Sequence, residues 1–303
     1  MSSVETVVPS IRWEQLGKLR RSNEQIIKQL NQESTVQEDY RRMRMSCLRS
    51  GKMLNSPAQV GTYWREQLYD KVDGRALATV REVPAVSTWV TRPNPNMSGE
   101  EYVRAIKTRA GVITTPARSS RSRNGDRGDP LCKRDRQRAT LNHISQVCQT
   151  THGLRVKRHN NICEMLTATL RKDGWTTWAK PRIPVGATFI KPDIIAVKGS
   201  EYCVLDPIIT GDNQEIELSA SGKSNIYDQD AIERVRQGLE WNDEEEITGQ
   251  IAGVAFNIRG AIAKTSYLQL RNIGVRPDYI KWMSVRVLVS TYKLVSSYVN
   301  ATG

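Results

Sequence analysis

Apolar side chains recur at helical spacing through the first third of the chain. Leu16, Leu19, Ile26, Ile27 and Leu30 fall on one face of a 3.6-residue repeat and predict an amphipathic helix over residues 11–32. Residues 36–50 and 58–72 follow the same period, the second expected to close at Asp73-Gly74. The stretch VPAVSTWVTRPNPN (83–96) ends in prolines and reads as a linker. A further helix is expected from Ser98, because Ser98 and Glu101 have the spacing of a capping box.

Beyond residue 155 the period changes. Residues 155–172 predict a helix with Ile162, Met165, Leu166 and Leu170 on one face and Asp173-Gly174 as its stop. Strand-like segments follow at 175–180, 190–197 and 201–209, then a polar helix over 214–240 and a strand at 251–258. Residues 265–273 and 278–299 are expected to be helices, although the β-branched run VRVLVSTY also suits a strand. The order helix, three strands, helix, strand predicts an α/β (α+β) core behind a helical N-terminal region.

Charge also divides the chain, at residue 180. Residues 1–180 carry 32 basic and 17 acidic side chains, whereas residues 181–303 carry 13 and 15, so the whole surplus of +13 comes from the first part. The basic side chains are densest over 104–138, where SSRSRNGDRGDP (119–130) is too polar and Gly-rich to pack. This segment, with Arg118, Arg121, Arg123 and Arg127, predicts an arm that neutralises phosphates; the plain alternative is a solvated linker. A polyanionic partner is therefore expected. No apolar run approaches the ~20 residues of a spanning helix. MSSVETVVPS has neither the charged nor the apolar region of a secretory signal. Five cysteines argue for a reducing compartment.

Two constellations carry chemistry. In KPDIIAVKGSEYCVLDPII (191–209), a two-residue turn at Gly199-Ser200 would place Asp193 directly opposite Asp206 on one face of a hairpin. Like charges that close need a cation between them, and a carboxylate pair ending buried strands suits a divalent metal. A second Pro-Asp, at 277–278, has no acid at the equivalent position. Lys223, with Tyr227 one turn on, is the candidate cation, against the alternative of a solvated helix lysine. The other constellation is Cys132, His143 and Cys148, spaced like metal ligands beside the basic arm, with Asp135 or His152 as candidate fourth ligands. Its plain alternative is a buried histidine with two inert thiols. Cys47, Cys163 and Cys203 sit within apolar patterns and are expected in the core.

The run TLNHISQVCQTTHGLRVKRHNNI (140–162), followed by KPD (191–193), LDPII (205–209) and the Lys223/Tyr227 pair, resembles the C-terminal region of site-specific non-LTR retrotransposon proteins. These carry a restriction-like endonuclease and insert into ribosomal RNA genes. LYDKVDGRALATV (68–80) and MSGEEYVRAIKTRAGVITTPARSSRSR (97–123) are similar to that family's region between polymerase and nuclease. The resemblance covers roughly residues 60–275.

It implies a thumb- or linker-like region over 1–96, a basic arm and zinc knuckle over 97–154, and a PD-(D/E)xK restriction-like endonuclease over 155–303. Asp193 and Asp206 match the family's two acids and would hold Mg²⁺ or Mn²⁺. The lysine expected two positions after the second acid is replaced by Ile208, and Lys223 on the next helix stands in for it. Arg155, Arg158 and His159 match a basic stretch expected to contact DNA. The family's knuckle is Cys-Cys-His-Cys; Asp135 occupies the second cysteine's place, which weakens any Zn²⁺ site there. Double-stranded DNA, element RNA and the parent protein's polymerase domain are the implied partners, and the nucleus the implied location. No Asp-Asp dipeptide occurs, so the reverse transcriptase motif is absent from this chain. The alternative is a non-catalytic nucleic-acid-binding module from a decayed or domesticated element. A cellular junction resolvase is disfavoured by the knuckle and the helical N-terminal region.

Overall fold

The computed structural model describes residues 57–93, 97–121, 129–185, 188–227 and 248–302. The helices expected over 11–32 and 36–50, Arg123, Arg127 and the second half of the helix expected over 214–240 lie outside the described residues. The chain divides into two units, Met1–Gln67 and Leu68–Gly303. The described residues of the first belong to helix α1, Pro57–Tyr69.

Helix α2, Val72–Glu82, starts where the previous helix was expected to end. The break falls at Asp70-Lys71, not at Asp73-Gly74, which lies inside the first turn of α2. A Cβ on Gly74 would sit 1.8 Å from the Leu68 carbonyl oxygen, so the glycine permits the sharp corner rather than ending a helix. The expected linker is also corrected. Pro84–Val90 forms a 3₁₀ helix that buries Val86 and Trp89 completely, because its apolar residues outweigh the breaker signal of the prolines that follow.

Helix α3, Gly99–Ala110, carries the predicted capping box at Ser98 and Glu101 and ends on Gly111 in the left-handed region. At Gly111 a side chain would collide with the Arg259 guanidinium, which donates to the carbonyls of Thr108 and Arg109 and pairs with Asp212 at 2.7 Å. That buried arginine ties α3 to the loop behind the last strand. A four-residue helix α4, Pro116–Ser119, and a single π turn, His143–Val147, lead into α5, His152–Lys172. Gly174, at φ 86°, stops α5 as expected.

The strands are β1 Thr176–Ala179, β2 Ile183–Val185, β3 Thr188–Ile190, β4 Ile194–Lys198, β5 Glu201–Thr210 and β6 Thr248–Asn257. The main sheet has the order β1-β4-β5-β6. Its first two pairings are antiparallel and β5–β6 is parallel. The segment expected as one strand over 190–197 is broken at Lys191-Pro192-Asp193, its first residue belonging to the small β2–β3 hairpin. Helix α6 spans Ile216–Ser224, α7 Lys264–Asn272 and α8 Pro277–Thr302. In α8 the ambiguous run is helical because Val285, Val287, Leu288 and Val289 are buried among its neighbours, and tertiary packing overrides β propensity.

Strand parity sorts the core. Ile194, Ala196, Cys203, Leu205, Ala252, Val254 and Phe256 pack on one face with α5, α7 and α8 residues. Ile195 and Val204 lie on the other, with Ile183 and Tyr227. Both faces of β4 and β5 are thus covered, as their continuous apolar runs predict. The segments 97–154 and 155–303 lie within one compact unit. Among the described residues no helix is long and apolar enough to cross a membrane.

Candidate functional site

The β4–β5 hairpin pairs Ile194 with Leu205 and Lys198 with Glu201, the register that Gly199-Ser200 predicts. Asp193, just before β4, and Asp206, the next residue of β5, lie close enough for each to shift the other's ionisation. By parity Asp206 faces the same side as Val204, towards α6. That helix is drawn tightly onto β6. A Cβ on Gly253 would lie 2.0 Å from the Ala220 carbonyl oxygen, and the Gly253 amide donates to Ser224 Oγ at 2.9 Å. The close approach carries Lys223 Nζ to 3.0 and 3.1 Å from the two Asp206 oxygens. The Tyr227 hydroxyl donates to Asp206 Oδ2 at 3.0 Å. The four residues singled out in the sequence therefore meet at one end of the hairpin.

Their electrostatics follow from burial and from one another. Burial opposes ionisation of both acids. At Asp193 it is outweighed, chiefly by the hydrogen bond with His159, and the pKa is lowered. At Asp206 burial and the neighbouring Asp193 together raise the pKa against the pull of Lys223. The two titrate as a unit. Burial and the adjacent acids raise the Tyr227 pKa, so its hydroxyl stays a donor.

His159 belongs to this site, which the sequence reading missed. Its Nε2 lies 3.1 Å from Asp193 Oδ2 and 2.9 Å from the Pro207 carbonyl oxygen. The Asp193 hydrogen bond foremost, then that of Cys163, raises its pKa to about 10. Cys163 Sγ stands 3.7 Å from Nδ1. The available signal was the i, i+4 spacing of His159 and Cys163, which puts both on one helix face.

The other two residues of the basic stretch expected to contact DNA make hydrogen bonds within the chain. Arg158 is buried; it donates to Thr291 Oγ1 and the Ser145 carbonyl, each at 2.9 Å. Arg155 caps the π turn, donating to the carbonyls of Gln146, Val147 and Cys148. Neither guanidinium is presented as a free surface cation. Arg118 and Arg121 are exposed, Arg118 also donating to the Gly111 carbonyl at 2.9 Å.

The second constellation also assembles. Cys132, His143 and Cys148 are buried with their ligand atoms within 4.8 Å of one another, and the two sulfurs are 3.7 Å apart. Asp135 Oδ1 lies 3.5 Å from His143 Nε2. His152 is exposed and outside the cluster. Both His143 ring nitrogens are buried without a hydrogen-bond partner among the described residues. Such orphaned donors are costly, and with two thiols and a carboxylate beside them they fit a zinc ion.

No protein-family model matches the chain. It is 26% identical over 252 residues to the "Retrovirus-related Pol polyprotein from type-1 retrotransposable element R2" of Nasonia vitripennis, covering 83% of this chain and 24% of that protein. It is 28% identical over 230 residues to the Pol polyprotein from type-2 element R2DM of Drosophila melanogaster, covering 74% and 22%. To a type-1 R2 Pol polyprotein of Popillia japonica it is 31% identical over 184 residues, covering 59% and 25%. The chain spans about a quarter of the length of these curated relatives. Over most of its length, then, this chain is similar to one region of the Pol polyproteins of R2 retrotransposable elements, the non-LTR group that its motifs resemble.

Proposed function

We propose that the chain is the metal-dependent DNA endonuclease portion of an R2-type retroelement protein, built on a PD-(D/E)xK core. It nicks target DNA and frees a 3′ hydroxyl for reverse transcription by the polymerase of the parent protein. The observation that carries this reading is the meeting of Asp193, Asp206, Lys223 and Tyr227 at the end of a buried hairpin. The order of α5, β1, β4, β5, α6 and β6, and the similarity to R2 Pol polyproteins, support it.

Two adjacent carboxylates, one with a raised pKa, form an oxygen-donor pair, and this fits Mg²⁺ or Mn²⁺. When bound, the ion would supply Lewis-acid polarisation of the phosphate and a more acidic water. Lys223 favours the ionised form of Asp206 against its burial and offers positive charge beside the phosphate, where negative charge grows in the transition state. Tyr227 fixes the Asp206 carboxylate from a second direction, and His159 does the same for Asp193. Arg118, Arg121, Arg123 and Arg127 grip the DNA backbone, and Cys132, Asp135, His143 and Cys148 hold zinc. The protein acts in the nucleus, where its DNA target lies.

A supercoiled-plasmid assay tests this directly. Nicking is expected with Mg²⁺ or Mn²⁺ and not with EDTA. Nicking that persists in EDTA would overturn the metal-dependent mechanism, and binding with no nicking in any metal would leave a nucleic-acid-binding module in place of the enzyme.

A further inference from the structure

Beside the carboxylate pair lies a second set of donors of different chemistry. Cys163 Sγ is 3.7 and 4.0 Å from the two ring nitrogens of His159, whose Nε2 is 3.1 Å from Asp193 Oδ2. One donor atom from each of the three residues falls within 4.8 Å of the others. An imidazole, a thiol and a carboxylate suit Zn²⁺ and similar borderline cations, whereas Mg²⁺ takes oxygen donors. Three protein ligands leave a fourth position for water. A cavity of about 380 Å³ lined by Asn160, Cys163, Lys180 and Asp193 gives an ion a route to these atoms.

We propose that His159, Cys163 and Asp193 form a site for a thiophilic divalent cation, with Zn²⁺ as its prototype, distinct from the Cys132/His143/Cys148 cluster. Asp193 is common to this set and to the carboxylate pair. Occupancy by zinc therefore commits Asp193 to the His159 side and withdraws it from Asp206, so zinc at this site turns the nuclease off. The inhibitory half rests on the nuclease reading; the binding half does not. The site explains why a thiol, with no part in phosphodiester chemistry, stands against the one histidine that touches an active-site acid.

The test uses the full chain and Co²⁺, whose thiolate charge-transfer absorption reports each sulfur ligand. Wild type should take up two equivalents. Cys163→Ala should lose one and keep the band of the two-thiolate cluster. Cys132→Ser/Cys148→Ser should lose the two-thiolate band and keep the one-thiolate band. His159→Gln, which leaves the core cysteine in place, should weaken the Cys163-dependent equivalent at least about tenfold. Circular dichroism of each variant establishes that it is folded. Unchanged uptake in Cys163→Ala, or in folded His159→Gln, overturns the site. In Mg²⁺, micromolar Zn²⁺ should suppress wild-type nicking and spare Cys163→Ala; equal suppression of both overturns the inhibitory half. If neither protein nicks, the nuclease reading fails while the Co²⁺ titration still decides the site.

Discussion

Tyr227 contributes one hydroxyl to the site, and its removal isolates one interaction. Tyr227→Phe keeps the ring that packs against Ile195 and Val204 and deletes the 3.0 Å hydrogen bond to Asp206. A hydrogen bond to a charged group contributes about 1.5 kcal/mol, so the nicking rate should fall about tenfold and the melting temperature by about 3–6 °C. A variant as fast as wild type would remove Tyr227 from the site. His159 gives a second prediction, in metal-free protein with EDTA present. Its folded pKa of about 10 lies above the ordinary 6.5, so its pairing with Asp193 stabilises the fold fully below the unfolded value. That contribution is lost as pH rises through about 10. An NMR titration finding His159 neutral at pH 8 would contradict it. At this scale the sequence was legible where register decides. Gly199-Ser200 sets the hairpin, and Asp193 and Asp206 follow from it. The place of His159 beside Asp193 was not legible, because a basic stretch on a helix says nothing about which face meets the acids.

Helix α5 makes that point for an element. Its RVKRH stretch looks like a basic surface, yet Arg158 points inward to Thr291 of α8 and to the π turn. Arg158→Leu strands the Ser145 carbonyl and the Thr291 hydroxyl, and should cost about 2–3 kcal/mol of stability by urea unfolding. Its DNA affinity at permissive temperature should match wild type. Arg121→Ala should do the opposite, weakening DNA binding and flattening its salt dependence while moving stability by less than about 0.5 kcal/mol. Reversed outcomes would restore Arg158 as a DNA contact. The capping box at Ser98, the glycine stop of α5 and the existence of strand β6 were all written in local pattern. The β2–β3 hairpin and the Pro84–Val90 turn were not, because prolines near short apolar runs mask them and only packing decides their fate.

At the scale of the molecule, charge and core separate two jobs. The surplus positive charge lies in residues 1–180, while Asp193, Asp206, Lys223 and Tyr227 come from the nearly neutral remainder. Buried Arg259 links the two, reaching from the loop after β6 to the end of α3, so the arm's base and the sheet form one compact unit. Composition alone predicted a polyanionic partner, and the hairpin predicted where the acids meet. The spacing of Cys132, His143 and Cys148 predicted that they could meet, and their burial together depends on packing around Ile144 and Tyr298.

This division makes grip and cutting separable, and one measurement tests that separation. Asp193→Ala and wild type should be compared on the same duplex for binding and for Mg²⁺-dependent nicking in parallel. The account predicts equal affinity at matched salt, with nicking by the variant reduced at least about a thousandfold, because a metal-holding acid contributes several kcal/mol to the transition state. Loss of binding together with cleavage, or nicking that survives the substitution, would contradict it.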